Sequence, residues 1–222
     1  MRDEYVRNSF LCLPSVFQQN QEKPGQPAHW MGALRSTAPE ETLNPEIEDL
    51  LREGPVPLLN FGSVNFDQVE RVLEDFIRYW PRDRRILVQS GWAGLIRENA
   101  PENIKFLGRV SHDALFPRLS LLIHHGGAGT TAAALHAGIP QIIIPHIADQ
   151  WFFGDEVRRL GVGRVLARPR WPQNLPALVA QVEADVILSQ NAQRVADQLR
   201  GEKGIVNLAD ALEAKFSSSP ST

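Results

Sequence analysis

Two histidines run directly into a glycine-rich stretch, His124-His125-Gly126-Gly127-Ala128-Gly129-Thr130-Thr131, and no other part of the chain gathers as many groups able to do chemistry. Residues 119–123 before them form an apolar run that fits a buried strand, and Gly126-Gly127 ends it. Residues 130–135 are good helix-forming sequence, and Gly138 followed by Pro140 stops them. A glycine-rich strand-to-helix turn leaves main-chain N–H groups bare at the positive end of a helix dipole. That is the chemistry of an anion site, most often for phosphate. From His124 to Ala148 there is no Asp, Glu, Lys or Arg. A diphosphate would meet no repelling carboxylate there. It would find no P-loop lysine either, which excludes the nucleotide-hydrolase loop GxxxxGKS/T. The neutralising groups on offer are the amides, the threonine hydroxyls and His125. On these residues alone, a plain tight turn with a satisfied polar histidine is an equal reading.

The elements that must position this turn follow from hydrophobic periodicity. Residues 1–53 do not read as a domain. Leu11, Leu13, Val16 and Phe17 offer a short strand, residues 18–27 are a polar connector with Pro and Gly, and a small helix fits residues 44–52. This stretch is expected to be a linker or the remnant of an upstream domain. Organised sequence begins at Val56. Strands are expected at residues 56–61, 85–89, 103–107, 119–123, 141–145 and 163–166. Helices are expected at 67–80, 112–116, 130–135, 149–160, 173–185, 189–200 and 205–215. Residues 54–216 then make one α/β domain, and residues 217–222 a disordered tail.

Strands and helices alternate, and the strands are apolar throughout, which means a doubly wound parallel sheet of the Rossmann-like kind, covered on both faces. In the commonest strand order, 3-2-1-4-5-6, ligands bind where the first and fourth strands diverge. Gly62-Ser63 follows the first strand and the glycine turn follows the fourth. Both loops border one crevice at the carboxyl edge, and that coincidence favours the anion site over the plain turn.

Composition bounds the rest. A chain of 222 residues with 43% hydrophobic and 22% charged residues is ordinary for a globular protein. A formal net charge of -3, with no basic run, argues against nucleic acid as a partner. One cysteine, Cys12, excludes an internal disulfide framework and suits a reducing compartment. No apolar run approaches the roughly 20 residues needed to span a bilayer, and residues 1–10 lack the apolar core of a signal peptide. A cytoplasmic location is the expectation. A dinucleotide oxidoreductase would place G-x-G-x-x-G after the first strand, where this chain has Phe61-Gly62-Ser63-Val64. No Cys/His spacing suits zinc, no D-x-D pair would carry a divalent metal, and no G-x-S-x-G elbow suits a serine hydrolase.

The residues themselves point to a family. His125 to Thr131, then Ala137-Gly138-Ile139-Pro140-Gln141, Pro145 and Asp149-Gln150, resemble the donor-binding signature of GT-B glycosyltransferases. The similarity is greatest to the UDP-glucose-dependent sterol and lipid glucosyltransferases and their relatives acting on natural products. Phe61-Gly62-Ser63, residues 90–95 (SGWAGL) and residues 110–117 (VSHDALFP) match in the family's order, so the resemblance spans residues 55–163.

The resemblance implies roles by position. His125, Gly127, Gly129 and Thr130 would hold the diphosphate of a UDP-sugar, and Gly62 and Ser63 would close over it. Arg109 and Val110 would lie beside the uracil. Asp149 and Gln150 would hydrogen-bond the hydroxyls of the transferred sugar, although Asp149 is also a favoured helix N-cap. Donors aimed at the diphosphate would stabilise its charge as it leaves, so neither a metal nor another cofactor is expected. His124 reads as a strand-end residue rather than a ligand, Trp92 as packing near the crevice, and His112 and His146 have no evident partner. Two positions depart from the family. Ala133 stands where many plant relatives carry a glutamate for the ribose, and Val110-Ser111-His112 where relatives have Val-Pro-His.

Whole members of the family set a second, amino-terminal domain across the cleft, which binds the acceptor and supplies a histidine base oriented by an aspartate. Residues 1–53 contain no such strand–turn–histidine, so no catalytic residue is assigned here. The resemblance implies the donor half of an inverting hexosyltransferase acting on a hydroxylated lipid, sterol or small aglycone. An acceptor-binding domain or subunit is its expected partner, and any peripheral membrane association would run through that half. The alternatives are a non-catalytic nucleotide-sugar-binding module and, more weakly, a GT-B-fold UDP-sugar epimerase.

Overall fold

The structure is a computed structural model, and it describes residues 10–20, 29–35, 42–60, 69–89 and 100–217. The chain divides into two compact units, one of residues 40–196 and one built from residues 1–39 and 197–222.

In the smaller unit, β1 (Phe10–Leu11) pairs in parallel with β2 (His29–Trp30), and residues 15–20 form a 3-10 turn. One carboxylate ties this segment to the chain's last helix (Gly204–Ser217). Glu202, just before that helix, accepts the amides of Ser15 at 2.7 Å and Ala33 at 2.9 Å. Asn207 Nδ2 donates to the Met31 carbonyl at 2.9 Å. The described amino-terminal residues are therefore hydrogen-bonded to sequence almost two hundred residues away, which a sequence pattern of short apolar touches does not reveal.

The larger unit is built on six parallel strands: β3 (Leu58–Asn60), β4 (Ile86–Gln89), β5 (Ile104–Leu107), β6 (Leu122–His124), β7 (Gln141–Ile143) and β8 (Gly163–Val165). Their order in space is β5-β4-β3-β6-β7-β8, all neighbours parallel. Counted from β3, this is the expected 3-2-1-4-5-6, with the divergence between β3 and β6. The strands are three or four residues long, and β3, β4 and β6 are Leu, Ile and Val closed by a polar residue.

Each face of this sheet has its own core. On one side Leu59, Val88, Ile123 and Ile142 meet Leu73 and Phe76 of α2 (Val69–Tyr79) and Leu175, Val179 and Val182 of α6 (Trp171–Ala184). Leu188 of α7 (Val186–Leu199) joins them. On the other, Leu58, Leu87 and Leu122 meet α1 (Pro45–Arg52), α3 (His112–Leu115) and α4 (Ala128–Ala137) through Ile47, Leu51, Leu115 and Ala134. The helix α5 (Ala148–Arg159) covers β7 and β8. Helix α1 starts where Asn44 accepts the Glu46 amide at 2.8 Å with Pro45 at the first helical position, so the sequence before residue 54 contributes to this core.

One difference from the sequence pattern bears on the site. The fourth sheet strand starts at Leu122 and includes His124, whereas the apolar run suggests residues 119–123. Pro117 lies in a 3-10 turn, Phe116–Arg118, and the Leu119 amide closes that turn on the Phe116 carbonyl at 3.1 Å. The ladder is thereby displaced toward the glycines. The last helix runs to Ser217, and residues 218–222 lie outside the described residues.

Candidate functional site: a bare helix terminus at the sheet's divergence

His124 ends β6, in register with Asn60 of β3 and Ile143 of β7. Both nitrogens of its buried ring are engaged. Nδ1 accepts the Gly126 amide hydrogen at 3.1 Å, so the proton of a neutral ring sits on Nε2, which donates to Gln141 Oε1 at 2.9 Å. Burial pushes this imidazole down to about 3, with the Gln141 bond opposing and His125 reinforcing the shift. His124 is thus a neutral strand-end residue, as the sequence implied. Its bond to Gly126 fixes the start of the turn.

Gly126 has φ +92°, and a β-carbon there would meet Ile143 Cγ2 at 2.8 Å and the Gln150 carbonyl oxygen at 3.1 Å. Only glycine fits both the dihedral and the space. His125 turns away from His124 and lies over Gly127, where a β-carbon would meet its Nε2 at 2.5 Å. Its Nδ1 is buried with no hydrogen-bond partner among the described residues. Burial holds this imidazole below its ordinary range, opposed by the Asp149 carboxylate.

The turn then delivers α4. Its N-cap is Gly127, and no side chain caps the helix by a hydrogen bond. Ala128 and Gly129 are exposed, and a β-carbon on Gly129 would meet nothing within 4 Å. Thr130 is half-buried, while Thr131 Oγ1 donates to the Gly127 carbonyl at 2.9 Å and is spent inside the helix. Main-chain donors without a side-chain cap, a helix dipole and one imidazole at the rim are an arrangement that can receive an anion.

A crevice at this edge is lined by Leu59, Asn60, His124, His125, Ile144, His146 and Trp171. Burial lowers His146 to about 4, and Arg168 and then His125 push it the same way, so His146 is neutral at pH 7. Beside the turn, Gln150 is buried and its Oε1 accepts two amides, from His146 at 2.6 Å and Ile147 at 3.2 Å. Asp149 is exposed. It does not cap α5, whose N-cap is Ile147, but lies in the first turn facing His125.

Three strands away, Arg109 and Val110 follow β5 at the same carboxyl edge. Arg109 is exposed, and Val110 is partly buried against the α1–α3–α4 core. The carbonyl of Gly108 just before them accepts Gln89 Nε2 at 3.1 Å. His112, without a visible partner in the sequence, stacks on Phe116 with ring centroids 4.3 Å apart.

The structure therefore gathers His125, Gly127, Gly129 and Thr130 in one turn with Asp149 and Gln150 against it. Gly62, Ser63 and Trp92 lie outside the described residues. Asn60, His146 and Trp171 were not legible as site residues. Only Asn60 carried a signal, as a polar residue closing an apolar strand. Among the described residues no three His, Cys, Asp or Glu side chains converge as a metal set, and no helix is long and apolar enough to cross a membrane.

Comparison with known proteins identifies the fold and the family. Solved glycosyltransferases share the fold: the glycotransferase of kitacinnamycin superposes with a TM-score of 0.73 at 19% identity, over 94% of this chain and 55% of that one. The class is thus the carboxyl-terminal half of a GT-B fold. Residues 83–214 match the erythromycin biosynthesis protein CIII-like, C-terminal domain, and the chain belongs to that glycosyltransferase family. The vancomycin aglycone glucosyltransferase of Amycolatopsis orientalis is 42% identical over 126 residues, 56% of this chain and 30% of the relative. A sterol 3-beta-glucosyltransferase of Arabidopsis thaliana is 32% identical over 165 residues, 73% of this chain and 25% of the relative. The chain therefore spans less than a third of these curated relatives and about half of the solved structure.

Proposed function

We propose that this chain is the donor-binding half of an inverting, UDP-sugar-dependent glycosyltransferase. It serves transfer of a hexosyl group, glucosyl in the first instance, to a hydroxyl of a sterol, lipid or small aglycone. The observation that carries the reading is the uncapped amino terminus of α4, with exposed Gly129 and the His125 ring beside it. The glucosyltransferase names of the two relatives support the sugar and the acceptor class.

In this reading the amides of Gly127, Gly129 and Thr130, with His125, hold the diphosphate, and Gly62 and Ser63 close over it. Arg109 and Val110 flank the uracil, and Asp149 and the Gln150 carboxamide bind sugar hydroxyls. As the anomeric carbon–oxygen bond breaks, negative charge grows on the diphosphate. Fixed amides and the helix dipole stabilise that charge more than the ground state, which lowers the barrier without a metal ion. The acceptor hydroxyl and the base that takes its proton come from an acceptor-binding partner domain.

Calorimetry with UDP tests the reading. Saturable heat whose affinity falls in His125→Ala supports it, and no heat at millimolar UDP overturns it. Supplying an acceptor half in trans then separates a transferase from a binding module: the transferase forms glycoside, the module only binds.

A further inference from the structure

Four buried polar side chains lie on one face of the parallel sheet, three of them at its carboxyl edge and Gln141 at the start of β7. Asn60 and Gln89 are register partners on β3 and β4, Asn60 is the register partner of His124 on β6, and Gln141 lies two residues before His124's partner Ile143 on β7. Their exposures are 3%, 8%, 1% and 0% for Asn60, Gln89, His124 and Gln141. An apolar residue at each position would avoid the desolvation cost of a buried polar group. The cost is visible at Gln141, whose Nε2 is buried without a hydrogen-bond partner among the described residues.

What these side chains do is reach out of the sheet to two loops. Asn60 Nδ2 donates to Gln89 Oε1 at 3.1 Å, and Gln89 Nε2 donates to the Gly108 carbonyl at 3.1 Å. Gln141 Oε1 orients the His124 ring, and the ring's Nδ1 receives the Gly126 amide. One pair thus ends on the residue before Arg109-Val110, the other on the residue before the Gly127 turn.

We propose that the two pairs are positioning residues with separate duties: Asn60–Gln89 sets the loop that meets the nucleoside, and Gln141–His124 sets the turn that meets the diphosphate. This rests on the donor-site reading above. The polar row gives each loop its own anchor in the rigid sheet, so the two halves of a nucleoside diphosphate are held by independent supports.

The test measures uridine, inorganic pyrophosphate and UDP binding to the full chain and to three variants, alongside amide exchange at Gly126. His124→Phe removes the acceptor for Gly126. It is expected to weaken pyrophosphate and UDP about tenfold while leaving uridine unchanged, the loss of one buried hydrogen bond. Gln89→Leu is expected to do the reverse, weakening uridine and UDP and sparing pyrophosphate. His124→Asn, whose Oδ1 stands where Nδ1 accepts, is expected to recover pyrophosphate binding. A merely structural role would lower all three ligands together in both variants, and that result overturns the proposal. If the unaltered chain binds none of the ligands, the donor-site reading fails, and exchange then decides whether the anchor exists. Faster exchange at Gly126 in His124→Phe but not in Gln89→Leu supports the separate anchors, and equal exchange in both overturns them.

Discussion

The imidazole of His125 rests on the Cα of Gly127, with Nε2 2.5 Å from where a β-carbon would stand. Gly127 is also the N-cap of α4, at φ −67°, a dihedral open to any residue. The glycine is therefore required by the ring above it and not by its own backbone. Gly127→Ala is expected to fold, with a melting temperature within a few degrees of the parent, because the clash falls on a side chain that can swing away. Swinging it away takes the ring off the helix terminus, so UDP binding should fall about tenfold, the scale of losing one charge-assisted hydrogen bond. Thermal melts and calorimetry check this together, and unchanged UDP affinity would show that His125 does not touch the diphosphate.

Binding should also depend on pH with a definite sign. Burial lowers His125 from its ordinary value, Asp149 opposes that, and His146 and His124 beside it are themselves neutral at pH 7. A diphosphate at the same place favours the imidazolium, so the bound state holds the His125 proton to higher pH than the free state. Affinity is then expected to rise as pH falls through the imidazole range, with proton uptake on binding. UDP-glucose is the ligand to use, since its diphosphate diester does not titrate in this range. Calorimetry in two buffers of different ionisation enthalpy counts the protons. His125→Gln should flatten the profile, and a flat profile in the parent removes the ring from the contact.

Most of the sheet was legible because buried parallel strands are written as short apolar runs, and the runs at β3 to β8 are separated by helical spacing or turns. The glycine turn was legible because Gly126 and Gly127 stand between an apolar run and a helix-forming run. What the sequence could not show is long-range. Glu202 joining Ser15 and Ala33, and Gln89 reaching Gly108, are contacts between residues with no local pattern in common. Trp171 sits in Arg170-Trp171-Pro172, which spells a helix start, and only the packing of α6 brings it to the crevice.

Gln150 illustrates a residue whose type suits two tasks. Its Oε1 already accepts the amides of His146 and Ile147, and no described group accepts from its NH2. Loop and sugar can therefore be separated by substitution. Gln150→Glu retains an acceptor for both amides and loses the NH2, so stability should stay within about 1 kcal/mol while any preference for UDP-glucose over UDP declines. Gln150→Leu leaves two amides without their partner and should cost about 1–3 kcal/mol in urea unfolding. If Gln150→Glu keeps the full preference for UDP-glucose, the carboxamide does not read the sugar.

Helix α1 supplies the last test, because it decides how much chain the donor-binding fold needs. Leu51 is 7% exposed and meets Leu58, Leu87 and Leu115 in the core beneath the sheet, although it precedes the first sheet strand. Arg85 reinforces the connection by donating from Nη1 to the Leu50 carbonyl at 3.0 Å and to Glu53 at 2.8 Å. If α1 were an appendage, trimming Leu51 would cost little. As a core element it should cost about 2–4 kcal/mol for Leu51→Ala, the range for a buried leucine. Val186, 63% exposed at the start of α7, is the control, and Val186→Ala should move stability by less than about 0.5 kcal/mol. Urea unfolding of both variants checks this, and equal midpoints would free the fold of everything before residue 54. A cost confined to Leu51→Ala means that any donor domain cut from this chain must begin ahead of Asn44, whose side chain starts the helix.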